Sequence, residues 1–127
     1  MNSEQINIEL ARMPYAKTIG VKAELVDGTL QFILPFKQEN IGNPLLPALH
    51  GGCIGGFMET AAICQLMFEH PAATLPKPIG INVDYLRRGK PVDTYAVAVI
   101  EKHGGRVANV QVRAWQDDQE TPIATLH

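Results

Sequence analysis

Residues 49–68 read Leu49-His50-Gly51-Gly52-Cys53-Ile54-Gly55-Gly56-Phe57-Met58-Glu59-Thr60-Ala61-Ala62-Ile63-Cys64-Gln65-Leu66-Met67-Phe68. From Cys53 to Phe68 the only charged side chain is Glu59, nine residues after His50. The run predicts an apolar helix over roughly 51–69, which His70-Pro71 stops. Such a helix must be buried on most sides, either by a sheet curled around it or by a second subunit. A carboxylate in that setting lies near the surface, is paired, or has a raised pKa. Glu59 is therefore a candidate general base or nucleophile.

On either side of this helix the apolar residues alternate. Asn2 or Ser3 can cap a short first helix with Ile6, Leu10 and Met13 on one face, ended by Pro14. Ile19, Val21, Ala23 and Leu25 then alternate with polar or small residues, as in a half-buried strand. Asp27-Gly28 is a hairpin turn, and Leu30, Phe32 and Leu34 alternate in the returning strand. A polar, proline-bearing loop from Lys37 to Leu49 leads into the helix.

Beyond the helix, Ile79, Ile81, Val83 and Tyr85 alternate. Tyr95 to Ile100 is apolar on both faces and predicts a central strand. Gly104-Gly105 turns the chain into Ala108, Val110, Val112 and Ala114, and Asp117-Asp118 turns it into a last strand around Ile123 to Leu126. Arg88-Gly89-Lys90-Pro91 is a hairpin or a bend into another part of the sheet. The count is two strands, one long helix and four strands: an α+β domain with a largely antiparallel sheet and one helix on its face.

The 127 residues suit one domain, with 46% hydrophobic and 19% charged residues. A net charge of −2 gives no reason to expect nucleic acid or an anionic membrane as partner. No apolar run reaches spanning length, because Glu59 interrupts the longest. The first residues lack the basic and apolar regions of a signal peptide, so a cytoplasmic protein is expected. Cys53 and Cys64 on one helix stand about 16 Å apart along its axis, too far for a disulfide.

Four glycines, at positions 51, 52, 55 and 56, open the helix. Relative to alanine each costs about 0.8–1.0 kcal/mol in a helix interior, and close approach of another group is the usual compensation. That group is a packed element, or a ligand drawn to the N–H groups of the helix N-terminus. From Gly51 to Glu59 a helix rises about 12 Å, so His50 and Glu59 do not easily touch within one chain. If both serve one site, they meet across a two-fold axis. Alternatively, His50 is a loop histidine holding backbone and Glu59 a buried structural carboxylate.

Leu49-His50-Gly51-Gly52 with Glu59 nine residues after the histidine resembles the hotdog-fold acyl-CoA thioesterases of the phenylacetate-degradation type. Ile81-Asn82-Val83-Asp84-Tyr85-Leu86-Arg87-Arg88 is similar to the strand that follows the helix in that family, and the match runs from about Tyr15 onward. The resemblance implies a five- or six-stranded antiparallel sheet around the central helix, assembled as a homodimer or homotetramer. It implies that Glu59 acts as general base or nucleophile and that the Gly51 N–H polarises the thioester carbonyl, with His50 beside it. Many relatives orient the water with an asparagine six residues before the histidine. Here that position is Pro44, and Asn43 precedes it by one. Relatives also place Ser or Thr before the post-helix strand, where this chain has Lys77-Pro78.

Thioester hydrolysis needs a base for water and donors for the oxyanion. It requires no cofactor and no metal, and the four histidines lack the spacing of a metal site. No G-x-S-x-G elbow or G-x-G-x-x-G fingerprint is present. An acyl-CoA substrate brings phosphates that call for exposed cations. Arg87, Arg88 and Lys90 form the densest basic cluster, and Lys102 and Arg106 flank the Gly104-Gly105 turn. Two other functions share these features: a hotdog dehydratase or hydratase acting on acyl thioesters, and a non-catalytic acyl-CoA-binding protein.

Overall fold

The computed structural model describes residues 1–41, 48–71 and 76–127. Helix α1 spans Ser3–Arg12 and begins at a reciprocal cap: Asn2 Oδ1 accepts from the Gln5 N–H at 2.8 Å, and Gln5 Oε1 from the Asn2 N–H at 2.7 Å. Ile6 and Leu10 are buried beneath it. Pro14 ends α1 but also opens a second helix, α2, over Pro14–Ile19, closed by Gly20 at φ 88°. Ile19 therefore ends a helix and does not start a strand. Proline at the first helical position and a left-handed glycine after the last are the signals that mark α2.

Strand β1, Lys22–Val26, pairs with β2, Thr29–Leu34, across Asp27 and Gly28. The φ values of 51° and 80° at these two residues are the pair of positive angles that a type I′ turn needs. Leu30, Phe32 and Leu34 all point inward, as their alternation predicts. Leu25 does not follow the pattern and is 46% exposed, because β1 is an edge strand covered only near Ala23. There Asn7 of α1 acts as a substitute partner strand: its Nδ2 donates to the Ala23 carbonyl at 2.7 Å, and its Oδ1 accepts from the Ala23 N–H at 2.9 Å.

After a 3-10 turn at Gln38–Asn40, helix α3 runs Gly51–Glu69, and four strands follow: β3 Val83–Tyr85, β4 Thr94–His103, β5 Ala108–Trp115 and β6 Ala124–Leu126. The six strands form one antiparallel sheet in the order β1-β2-β4-β5-β6-β3. Strand β4 is central, as its apolar run predicts. Its Ala96 and Ala98, with Ala114 and Ala124 on the neighbouring strands, are small and buried, so Phe57, Met58 and Ala61 of α3 pack close to the sheet.

The strand expected from Ile79 to Tyr85 is shorter in the structure. Only residues 83–85 pair, with β6, and the reciprocal backbone bonds of Asn82 and His127 at 2.8 Å close that ladder. Alternation without a partner strand does not make a strand, and Ile79 is 84% exposed. The segment around Gly89 is a bend and not a hairpin, because β3 and β4 lie in different parts of the sheet. Gly89 is buried there, and a Cβ on it would stand 2.9 Å from Ile54 Cδ1.

Both cysteines are free and both lie on α3. Burial pushes the Cys64 thiol up to about 12, and Glu9 adds to the shift. The reactive thiolate is therefore almost absent from Cys64 at neutral pH. The folded protein should expose at most one thiol, the half-buried Cys53, to a thiol reagent at pH 8, and both after unfolding. Two thiols reacting at equal rates in the native protein would contradict this packing.

Candidate active site

His50 is the N-cap of α3. Its Nδ1 accepts from the Gly52 N–H at 2.9 Å, and its carbonyl accepts from Cys53 and Ile54 at 2.9 and 3.2 Å. In the neutral ring the proton then sits on Nε2, on an exposed side chain. The cap is anchored from behind: the His50 N–H donates to the Asn40 carbonyl at 2.8 Å, and the Leu49 N–H to the Gly89 carbonyl at 2.9 Å. Gly51 occupies the first helical position, where an N–H has no intrahelical acceptor. Among the described residues, no acceptor meets it. This leaves one donor at the positive end of the helix, with its neighbours already satisfied.

Two tyrosines far away in sequence frame that donor. Tyr85 Oη donates to the Gly51 carbonyl at 2.7 Å, and Tyr15 Oη to the Gly52 carbonyl at 3.1 Å. The glycines make room for them. A Cβ at Gly55 would stand 3.1 Å from Tyr85 Oη, and one at Gly56 would overlap the Tyr15 ring. Close packing thus accounts for Gly55 and Gly56, while the Gly51 N–H meets no acceptor among the described residues. Burial raises the Tyr15 phenol above its ordinary range, and Cys53, Glu59 and Tyr85 nearby push it the same way. Tyr15 therefore remains a neutral donor.

Asn40 holds this arrangement from below. It is buried, its Nδ2 donates to the Ile19 carbonyl at 3.2 Å, and its Oδ1 faces Cys53 Sγ at 3.6 Å. Asn40→Ala should lower stability by about 1–3 kcal/mol, because the Ile19 carbonyl loses a buried donor. Chemical denaturation checks this: the midpoint should fall while the slope stays constant. An unchanged midpoint would show that the cap region stands without Asn40.

Glu59 lies on α3 about 12 Å beyond Gly51, so the two do not converge within one chain. It is half-buried, and among the described residues it forms no ion pair. The structure places it near the surface. Glu59, Ala62, Ile63 and Leu66 line one wall of a cavity of about 610 Å³. Residues 76–81, the turn between β4 and β5, and the end of β6 line the rest.

The basic residues divide into two groups. Arg87, Arg88 and Lys90 are exposed on the segment after β3 and are absent from the cavity lining. Arg87 donates to the Pro122 carbonyl, and Lys90 pairs with Asp117 at 3.5 Å. Arg106 lines the cavity, whereas Lys102 is exposed on β4 before the turn. Lys77 joins Arg106 on the lining. Asn43 and Pro44 lie outside the described residues. Sequence reasoning missed Tyr15, Asn40, the hydroxyl contact of Tyr85 and the place of Lys77. Each reaches the site through tertiary contacts that leave no local spacing to detect.

Residues 46–123 match the family model described as the thioesterase superfamily. No curated protein matches the chain. A solved protein from Chromobacterium violaceum is 41% identical over 97% of this chain and 86% of its own, with a TM-score of 0.76. A Ralstonia eutropha protein, described as a candidate thioesterase related to phenylacetic acid degradation, is 21% identical over 90% and 86%, with a TM-score of 0.77. A Bacillus halodurans protein solved with CoA is 19% identical over 97% and 87%, with a TM-score of 0.76. The last two likenesses establish the fold alone. The six-stranded sheet around α3 is the hotdog fold, and the chain belongs to the thioesterase superfamily.

Proposed function

We propose that the chain hydrolyses acyl-CoA thioesters as a homodimer or a larger assembly. Each site would join Glu59 of one subunit to the Gly51 N–H of the other. The observation that carries this reading is the Gly51 N–H at the start of α3, which meets no acceptor among the described residues, with the half-buried carboxylate about 12 Å along the same helix at a cavity. Membership of the superfamily supports thioester hydrolysis in general. CoA in the Bacillus halodurans relative supports the thiol half of the substrate. The pattern of His50, Gly51 and Glu59 supports the phenylacetate-degradation type within the superfamily. The exposed edge at β3, with Ile81, Tyr85 and Leu86, offers a surface for a second copy.

In this mechanism Glu59 accepts a proton from water, and the hydroxide adds to the thioester carbon. In the nucleophilic variant the carboxylate adds directly, loss of the CoA thiolate leaves a mixed anhydride on Glu59, and water then cleaves it to the free acid and the carboxylate, its protons passing to the thiolate and solvent. The developing oxyanion receives a hydrogen bond from the Gly51 N–H and the favourable field of the helix N-terminus. The tetrahedral intermediate expels CoA as a thiolate, which then takes up the proton. His50 contributes by occupying the Gly52 N–H and holding the first turn, so that Gly51 stays oriented. The test is release of free thiol from aromatic, short-chain and medium-chain acyl-CoAs. Turnover of at least one of them is expected, and none across the panel would favour the non-catalytic binder.

A further inference from the structure

The cavity beside Glu59 changes character along its length. On α3 its wall is built from Glu59, Ala62, Ile63 and Leu66, which share one helical face, and the C-cap His70 continues it. Glu59 and His70 are eleven residues apart, about 16 Å along the axis. The middle is apolar. At the far end the rings of His70 and His103 stack with centroids 4.0 Å apart and planes within 1°. Lys77, Arg106 and His127 line the same cavity.

We propose that this far end, where Lys77 and Arg106 line the cavity with the stacked His70 and His103, binds an anionic group that the substrate carries about 16 Å from the bond that breaks. The inference rests on Glu59 marking the reacting end. Among the described residues, Glu59 is the one carboxylate side chain on the lining, and it is at the other end. Glu101 pairs with His127 at 3.5 Å, and Glu69 accepts from Gln65 outside the lining. The C-terminus of α3 presents about half a negative charge near His70, which two full positive charges outweigh. Imidazole N–H groups add donors whether or not the rings are charged.

Two parts of an acyl-CoA satisfy that chemistry. The pantetheine arm separates the thioester sulfur from the diphosphate by about thirteen bonds, roughly 16 Å when extended. An acyl chain ending in a carboxylate could span a similar length in the opposite direction. Both sources offer an anion at the right distance, and a thioester lacking both has nothing to place there.

The experiment compares wild type with Lys77→Ala/Arg106→Ala, two exposed positions. The substrates are medium-chain acyl groups ending in methyl or in carboxylate, each on CoA or on pantetheine. If the anion is the diphosphate, KM rises roughly 5- to 30-fold for both CoA substrates and not for methyl-ended acyl-pantetheine. If it is the acyl carboxylate, the rise follows the carboxylate-ended chains on either thiol. In both cases kcat changes little, and the effect shrinks at high salt. A second readout needs no turnover: ring signals of His70 and His103 should move in NMR spectra with CoA or with a medium-chain dicarboxylate, and not with pantetheine. A chain that hydrolysed nothing yet showed those shifts would lose the hydrolase reading and keep the anion site. Unchanged KM for all four substrates with unmoved ring signals would overturn the proposal.

Discussion

Glu59→Ala is expected to lower kcat by about 10²–10⁴ on the best acyl-CoA substrate while leaving the fold intact. Glu59 is half-buried at the cavity wall, and alanine is the best helix former, so α3 loses no propensity. Glu59→Gln tests the chemistry more narrowly, since it keeps the shape and removes the base; a loss of similar size is expected. Circular dichroism and the denaturation midpoint should stay close to wild type in both variants. Wild-type kcat in either one would remove Glu59 from the mechanism. A single turnover in water enriched in oxygen-18 identifies the nucleophilic role: label in the Glu59 carboxylate means that water opened a mixed anhydride at the Glu59 carbon.

Mixing two inactive variants should restore activity if each site draws on two subunits. Gly51→Pro deletes the N–H proposed as the oxyanion donor, at a position where proline is well tolerated. The extended backbone of His50, at φ −61° and ψ 130°, already suits a following proline. A Cβ at position 51 would make only ordinary contact with Tyr85, at 3.6 Å. Each homodimer of Gly51→Pro or Glu59→Ala should be nearly inactive. Unfolding and refolding the two together should yield about half hybrids, each with one intact site of two, hence about a quarter of wild-type activity. Folded, verified hybrids with no recovery would mean that the site is built within one chain.

Most of the architecture was legible in the chain because it rests on local rules. An almost wholly apolar run from Cys53 to Phe68 has to be covered, and the sheet covers one side of α3, burying Ile54, Phe57, Met58, Ala61 and Cys64, while Ala62, Ile63 and Leu66 stay half-buried at the cavity. Asp27-Gly28 requires a tight hairpin, and Leu30, Phe32 and Leu34 fix its inward face. The spacing of His50, Gly51 and Glu59 on one helix also sets their separation without any coordinates. Tertiary structure decided the rest. Residues 79–81 alternate like a strand, but pairing depends on a partner, and β6 meets only 83–85. Tyr15, Tyr85 and Asn40 reach the first turn of α3 from distant segments, through bonds that no local spacing records. The charged end of the cavity likewise joins Lys77 and Arg106 to the histidine that caps α3 and one from β4. A sequence specifies spacing along one element by covalent geometry, whereas convergence of separate elements exists only once the sheet has closed around the helix.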